Sequence, residues 1–306
     1  MSAETDVLFD APGPKALVRH RIIAVLGVLL LLTLLFFVIK GLANPANDQL
    51  TADKWSPFIQ WSTWQNYLIP GLIGTLTAAA ISVVLAIIAG ILLGLGRLSD
   101  LTAVRAVCGV FVEFFRAIPV LMMMFFAYFF GIFVLKIPGD VLPLFAAVVG
   151  LTFYNSCVIA ELVRSGVHSL PRGQREAGYA IGLTSNQTLT AVLLPQAITS
   201  MLPSIVSQLV VILKDSALAY AVTYLELLRQ GTNLAVYRGN LIPTLIVLAV
   251  IYIIINWALT RLARALEGRM RHGKRGIRPG PTDVGPDPAL AVQEEDEKQA
   301  AASSDR

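Results

Sequence analysis

GQREAGYAIGLTSNQTLTAVLLPQA, residues 173–197, interrupts a chain otherwise assembled from long apolar runs. Two short helices read from it. Pro171 suits a first-turn position, where a missing N–H costs nothing. Residues 172–181 then form a helix of about 15 Å, and Gly182 sits where a C′ stop belongs. Thr184-Ser185-Asn186-Gln187 has the capping-box pattern that opens a second helix, leading to Pro195. Arg172, Arg175 and Glu176 charge the first helix, whereas Ala177, Gly178 and Gly182 are small. A helix resting on lipid headgroups calls for a lysine-rich face opposite bulky apolar residues. Small residues instead permit close backbone approach, so this turn is expected to dock on a protein.

Its surroundings set the fold class. The 306-residue chain is 56% hydrophobic and only 14% charged, with a mean hydropathy of +0.69. Soluble chains carry about a quarter charged residues, so the composition is that of an integral membrane protein. Runs free of Asp, Glu, Lys and Arg lie at 22–39, 66–96, 117–135, 141–160, 177–213 and 240–260. A crossing helix takes roughly 20 apolar residues. Six spans are predicted, the second at 69–96 and the fifth at 197–222, where Lys214 and Asp215 interrupt it.

Lys and Arg orient these spans. With both termini inside, 18 of the 24 cations fall on cytoplasmic segments and five outside (Lys40, Lys54, Lys136, Arg229, Arg238), as the positive-inside rule requires. Residues 173–197 then face the cytoplasm. The net charge of +4 follows this topology and implies no nucleic acid. The first span ends near Gly41-Leu42-Ala43, which looks like a signal cleavage site, but its apolar core exceeds a signal's 7–15 residues and a retained anchor is expected. The expected organisation is a cytoplasmic N-terminus 1–21, a first span 22–42, a core 69–262 with the polar turn 163–196, and a basic tail 263–306, read as disordered from 273. Cys108 and Cys157 read as small buried hydrophobes. Neither they nor the scattered His20, His168 and His272 have metal-ligand spacing.

Intramembrane ionisable groups are costly, about 2.5–3.5 kcal/mol each on insertion scales, and so mark function by default. Lys214 and Asp215 diverge by about 100° on a helix; either a substrate path or interhelical contacts would use them. Glu113 and Arg116 are i,i+3 neighbours before Pro119. They read as a structural ion pair, the alternative being that Arg116 binds a substrate carboxylate with its planar fork. Glu161 and Arg164 repeat the spacing and read as a solvated pair. Gly90-x-x-x-Gly94, preceded by Ala86, is a ridge for close helix packing, and Asn155 and Ser156 read as interhelical contacts.

Glu176-Ala177-Gly178, then Gly182, then Val192-Leu193-Leu194-Pro195 has the spacing of the E-A-A, three residues, Gly, nine residues, Ile-x-Leu-Pro loop. In this the chain resembles the inner-membrane permease subunits of ABC importers. Gly178 for the second Ala and Val192 for Ile are mild departures. The resemblance runs from about residue 70 to 262 and narrows to the polar amino-acid branch. It rests there on Gly71-Leu-Ile-Gly74-Thr75, Glu113-Phe-Phe-Arg116-Ala-Ile-Pro119, Gly173-Gln174, Pro195-Gln196-Ala197 and Lys214-Asp215-Ser216-Ala217-Leu218. Ala217 stands where that branch has a hydroxyl, and Met122–Met124 where it often has Gln. The run from Val112 to Phe126 is most similar to glutamate permeases of actinobacteria.

The resemblance implies an all-α integral membrane fold, a five-helix type I importer permease core plus one extra N-terminal helix. It implies an importer for a polar amino acid, L-glutamate first and glutamine or aspartate as alternatives. No G-x-x-x-x-G-K-[ST] phosphate loop occurs in the chain, so no enzyme activity or cofactor is expected here. ATP and Mg would sit on a partner ATPase homodimer. Further implied partners are an extracytoplasmic amino-acid-binding protein and a second related permease, a heterodimer being favoured over a homodimer. The coupling residues would be Gly173, Gln174, Glu176, Ala177, Gly178 and Gly182; the substrate-path candidates are Glu113, Arg116, Lys214, Asp215 and Ser216. An autonomous ion-coupled transporter would show an internal inverted repeat, which the sequence lacks. A membrane enzyme would need a nucleophile–base or metal cluster, also missing.

Overall fold

The structure is a computed structural model that describes residues 13–44 and 48–272. Its principal helices are α1 Pro14–Leu42, α2 Ile69–Arg97, α3 Thr102–Ala117, α4 Val120–Phe130, α5 Leu142–His168, α6 Arg172–Ala180, α7 Leu194–Asp215, α8 Leu227–Arg238 and α9 Leu241–His272. A wide π turn, Gly131–Leu135, prolongs α4, and a 3-10 stretch, Ser216–Val222, prolongs α7. No strand occurs among the described residues. Among the described residues five helices are long and apolar enough to cross a membrane, and the count is six when the bent pair α3–α4 is taken as one span. The first compact unit ends at Leu262; of the second, Ala263–Arg306, the described part is the close of α9. The predicted tail from 273 and residues 1–12 lie outside the described residues.

The third span departs from its prediction. A single helix at 117–135 was the expectation, but the chain bends by 102° between α3 and α4. Pro119 disfavours helical geometry in the residue before it, and Ile118 is extended at φ −88°, ψ 129°. Glu113 and Arg116 therefore end a separate amphipathic helix rather than beginning the span.

The α2–α5 contact organises the core. A Cβ on Gly90 would lie 2.7 Å from Ile159 Cβ, and one on Gly94 2.9 Å from Val163 Cβ. The small-residue ridge thus lets two backbones meet, and between apolar helices in lipid it is such van der Waals packing that drives association. Ala86, Ile159, Val163 and Ile212 close a buried cluster there and add α7 to it. Gln208 Nε2 of α7 donates to Asn155 Oδ1 of α5 at 2.6 Å, a polar bridge within the same packing. By contrast, α1 buries none of its apolar window against the chain and exposes Leu, Ile and Val all round, the pattern of a helix solvated by lipid. Cys157 is buried, Cys108 half-buried, and both are free thiols.

Candidate functional site

The polar turn is built as its sequence requires. α6 ends in a complete Schellman motif: Gly182 N donates to Tyr179 O at 3.0 Å and Leu183 N to Gly178 O at 3.1 Å. Gly182 sits at φ +84°, a conformation that costs an L side chain about 1–2 kcal/mol. The capping box is also complete, with Gln187 N donating to Thr184 Oγ1 and Thr184 N to Gln187 Oε1 at 2.9 Å. The second helix widens into π turns over Thr188–Leu193 before Pro195, which has no N–H to continue an α ladder. Gln196 Nε2 donates to Gln174 Oε1 at 3.2 Å, tying α7 to α6.

Gly173, Gln174, Glu176 and Ala177 are exposed on this turn, as is Ile181 at 76%. Gly178 instead points inward: a Cβ there would meet Thr188 Cγ2 at 2.6 Å. Its part is to seat α6 on the chain. Beneath the turn lies a cavity of about 460 Å³, walled in part by His168, Arg172, Arg175 and Glu176.

A charge network lies seven residues before the end of α5. Glu161 accepts from Arg97 Nη1 at 2.7 Å and from Arg164 Nη2 at 2.6 Å, and Arg116 Nη1 stands 3.6 Å away. Arg97 also reaches Glu113 at 3.2 Å. Glu113 and Arg116 are thus paired with other helices and not with each other, because the α3–α4 bend carries them against α2 and α5. The Glu161–Arg164 pair forms as expected, but as the centre of a network and not as an isolated solvated pair.

At the α3–α4 break a shallow open pocket of about 380 Å³ brings Arg116 together with Tyr154 of α5 and Asp215 of α7, among Ile118, Val120 and Leu218. This falls within the size range of small-molecule sites. A larger groove of about 660 Å³ nearby, between Phe114, Met122, Phe126 and Phe153, is apolar throughout and has no polar handle. Lys214 is exposed beside Asp215 but outside the pocket wall. Ser216 is fully buried and donates its hydroxyl to Leu213 O at 2.7 Å, a use internal to the packing. Ser200, Ser204, Ser207 and Lys214 lie exposed along one face of α7, an unsuitable surface for lipid.

Beyond α7 the chain holds a second carboxylate. Glu226 is fully buried at the N-cap of α8, accepting from Leu228 N at 2.7 Å, Arg229 N at 2.6 Å and Tyr252 OH at 3.0 Å. Burial pushes its carboxyl up to about 7, against the lowering effect of those donors. Thr75 Oγ1 accepts from Leu227 N at 3.0 Å and Tyr224 OH donates to Gly74 O at 2.9 Å. The Gly71–Thr75 motif is therefore where α2 receives this clamp. Sequence reasoning missed Glu226, Tyr154 and the joining role of Arg97, which stood only as a topology cation. A carboxylate one residue before a helical apolar stretch was the available signal for Glu226. Among the described residues no group of His, Cys, Asp or Glu is placed to hold a metal ion.

Comparison with known proteins is consistent with this geometry. Residues 86–272 match the family described as binding-protein-dependent transport system inner membrane component. The chain is 48% identical over 228 residues to the glutamate transport system permease protein GluD of Corynebacterium glutamicum, covering 74% of this chain and 84% of that one. It is 33% identical to the probable glutamine ABC transporter permease protein GlnP of Bacillus subtilis, over 66% of this chain and 93% of the relative. In structure it resembles a chain of an amino acid ABC transporter crystallised with histidines, with a TM-score of 0.63, 26% identity, and coverage of 69% of this chain and 98% of that one.

Proposed function

From a chain that belongs to the family of binding-protein-dependent transport system inner membrane components, we propose an ATP-driven import function with L-glutamate as cargo. The chain is a multi-pass membrane permease subunit of an ABC amino-acid importer and not itself an enzyme. The glutamate reading is supported by the 48% identity to a glutamate permease. ATP and Mg belong to a partner ATPase homodimer, since this chain has no phosphate loop.

The observation that carries the coupling role is the polar turn itself. A complete Schellman motif ends α6 and a complete capping box opens the helix after it, while Glu176, Ala177 and Ile181 face outward. On this reading α6 docks in a groove of the ATPase, and closure of the ATPases pushes through α6 on α5 and α7. Gly173, Gln174, Gly178 and Gly182 shape and seat it. Both termini and the turn face the cytoplasm, by the distribution of Lys and Arg. The exposed polar face of α7 supports a second permease across a shared path, and a related partner chain is favoured over a second copy. An extracytoplasmic binding protein delivers the amino acid.

The cargo is tested by labelled L-glutamate uptake in the native bacterium, cleared of other glutamate uptake systems, with this gene deleted and restored. Loss and rescue, with competition by unlabelled glutamate, is the expected result; unchanged uptake removes glutamate, and competition by glutamine or aspartate broadens the cargo. Coupling is tested by Gly182→Leu, which puts a branched side chain at φ +84°. The variant should insert but lose ATPase co-purification and uptake; full uptake overturns the coupling role.

A further inference from the structure

We propose that the cavity between the end of α5 and α6 binds a phosphate group, gripped by Arg172 and Arg175 of α6 with His168 of α5 as a third donor. A phospholipid headgroup and a free phosphate share that chemistry, and the depth of the cavity favours the headgroup. Binding by this chain needs neither the cargo nor the ATPase reading above.

Residues 172, 175 and 176 are i, i+3 and i+4 neighbours on one face of α6, and all three line the cavity of about 460 Å³. The last two residues of α5, Val167 and His168, line it as well. Two guanidiniums and an imidazole thus meet a single carboxylate, Glu176, and the excess is cationic. Arg172 and Arg175 make no ion pair among the described residues, whereas Arg97, Arg116 and Arg164 all do. His168 Nδ1 lies 2.8 Å from Arg164 O. A carbonyl only accepts, so Nδ1 carries the proton of that bond and Nε2 is left for another partner, as a donor once the ring is protonated. The floor is apolar: Val167 and Leu193 are each 3% exposed and belong to one buried cluster. Cations held over a low-dielectric floor act on an anion more strongly than in open water, and a guanidinium fork matches phosphate oxygens two at a time. Depth selects the lipid. α5 is long and apolar enough to cross a membrane and ends at His168, so the cavity stands where a crossing helix meets the headgroups. Anionic headgroups enrich the cytoplasmic leaflet, the side to which the proposed topology assigns this turn. A phosphate there ties α6 to the end of α5, in addition to the Gly178 contact that seats it.

The test is native mass spectrometry of the full-length chain in detergent, titrated with phosphatidylglycerol, phosphatidylcholine and inorganic phosphate. Phosphatidylcholine carries its own ammonium beside the phosphate and serves as the neutral control. Phosphatidylglycerol should bind about tenfold more tightly than phosphatidylcholine. The double variant Arg172→Gln with Arg175→Gln should remove that gap and leave phosphatidylcholine affinity unchanged. The matched pair Arg261→Gln with Arg264→Gln, exposed arginines near the end of α9, should keep the gap. Retention of the gap by the first pair overturns the proposal. So does equal loss in the second pair, which means attraction of anions to any basic surface. Phosphate binding that the first pair abolishes, without a lipid preference, upholds the site and assigns it to a free anion. Neither a lipid preference nor phosphate binding in the unmodified chain overturns it. Should the first pair lose phosphatidylcholine as well, competition in the unmodified chain decides: phosphate that displaces phosphatidylglycerol beyond chloride of equal ionic strength upholds the site, and phosphate that does not overturns it.

Discussion

Glu161 and Glu226 are carboxylates handled in opposite ways. Glu161 keeps some contact with water and is answered by arginines from α2, α3 and its own α5. Glu226 is buried and answered by two backbone N–H groups and one phenol. Ion pairs have long reach and loose angular demands, so Glu161 can exchange partners as helices shift. Hydrogen bonds weaken steeply with angle, so Glu226 fixes the start of α8 against α9, while Leu227 N and Tyr224 OH beside it bind α2. The polar turn follows α5 directly, at the exchangeable end. The difference describes a bundle anchored at one end and free to re-pair at the other.

Breaking the anchor should have the largest effect. Glu226→Ala removes one N-cap, worth about 0.5–2 kcal/mol, and leaves buried donors unmet at about 1–3 kcal/mol each. A destabilisation of roughly 3–5 kcal/mol is expected, read as a large fall in Tm of the purified protein in detergent. The anchor also predicts a pH dependence. With the Glu226 carboxyl raised from 4.5 to about 7 in the folded protein, the native state binds the proton more tightly than the unfolded state. Its contribution to stability is complete below about pH 4.5, declines as pH rises through 7, and is flat above. Melting profiles from pH 5 to 8 should show that decline, and Glu226→Gln should flatten it. An identical slope in the variant assigns the decline to other groups.

At the other end, Glu161→Gln leaves Arg97, Arg116 and Arg164 without their shared anion. Because the site is partly exposed, the cost lies between an exposed pair and a buried one, about 1–3 kcal/mol. Salt separates the two ends. At 1 M salt the screening length falls to about 3 Å, so the gap between Glu161→Gln and the unmodified protein should shrink. The gap for Glu226→Ala should not. Equal salt dependence at both would erase the distinction between them.

How much of this was legible depended on the range of the interactions. Five of the six predicted spans, the Gly90–Gly94 ridge and the two caps around Gly182 were readable, because periodicity and capping are local. The α3–α4 break was signalled only by Pro119, within a run whose apolarity argued for one unbroken helix. Arg116 and Asp215 could each be singled out as membrane charges, yet nothing local says that residues 99 positions apart line one pocket. The pairing of Glu113 was misread for the same reason. An i,i+3 partner is visible along a helix, whereas Arg97 reaches it only through the turn between α2 and α3. Glu226 escaped notice because its burial is decided by Thr75 and Tyr252, far away in sequence.

The smallest expected effect tests the seat of the polar turn, where this chain has Gly178 in place of the alanine of similar loops. Thr188 is the reason in packing terms, since an added Cβ would fall 2.6 Å from its Cγ2 and 2.8 Å from its Oγ1. Gly178→Ala should therefore cost about 1–2 kcal/mol through overpacking, less any gain in helix propensity. Thr188→Ala alone should lie within about 1 kcal/mol of neutral, because the lost methyl contacts are offset by removing a buried hydroxyl that has no partner. The double variant should recover most of the single loss, a coupling of about 1 kcal/mol in a double-mutant cycle, and with it ATPase co-purification. Additive losses would place Gly178 away from Thr188 and return it to the exposed face. The turn would then be held by its caps alone, and the re-pairing end of the bundle would be looser than the seat of α6 makes it.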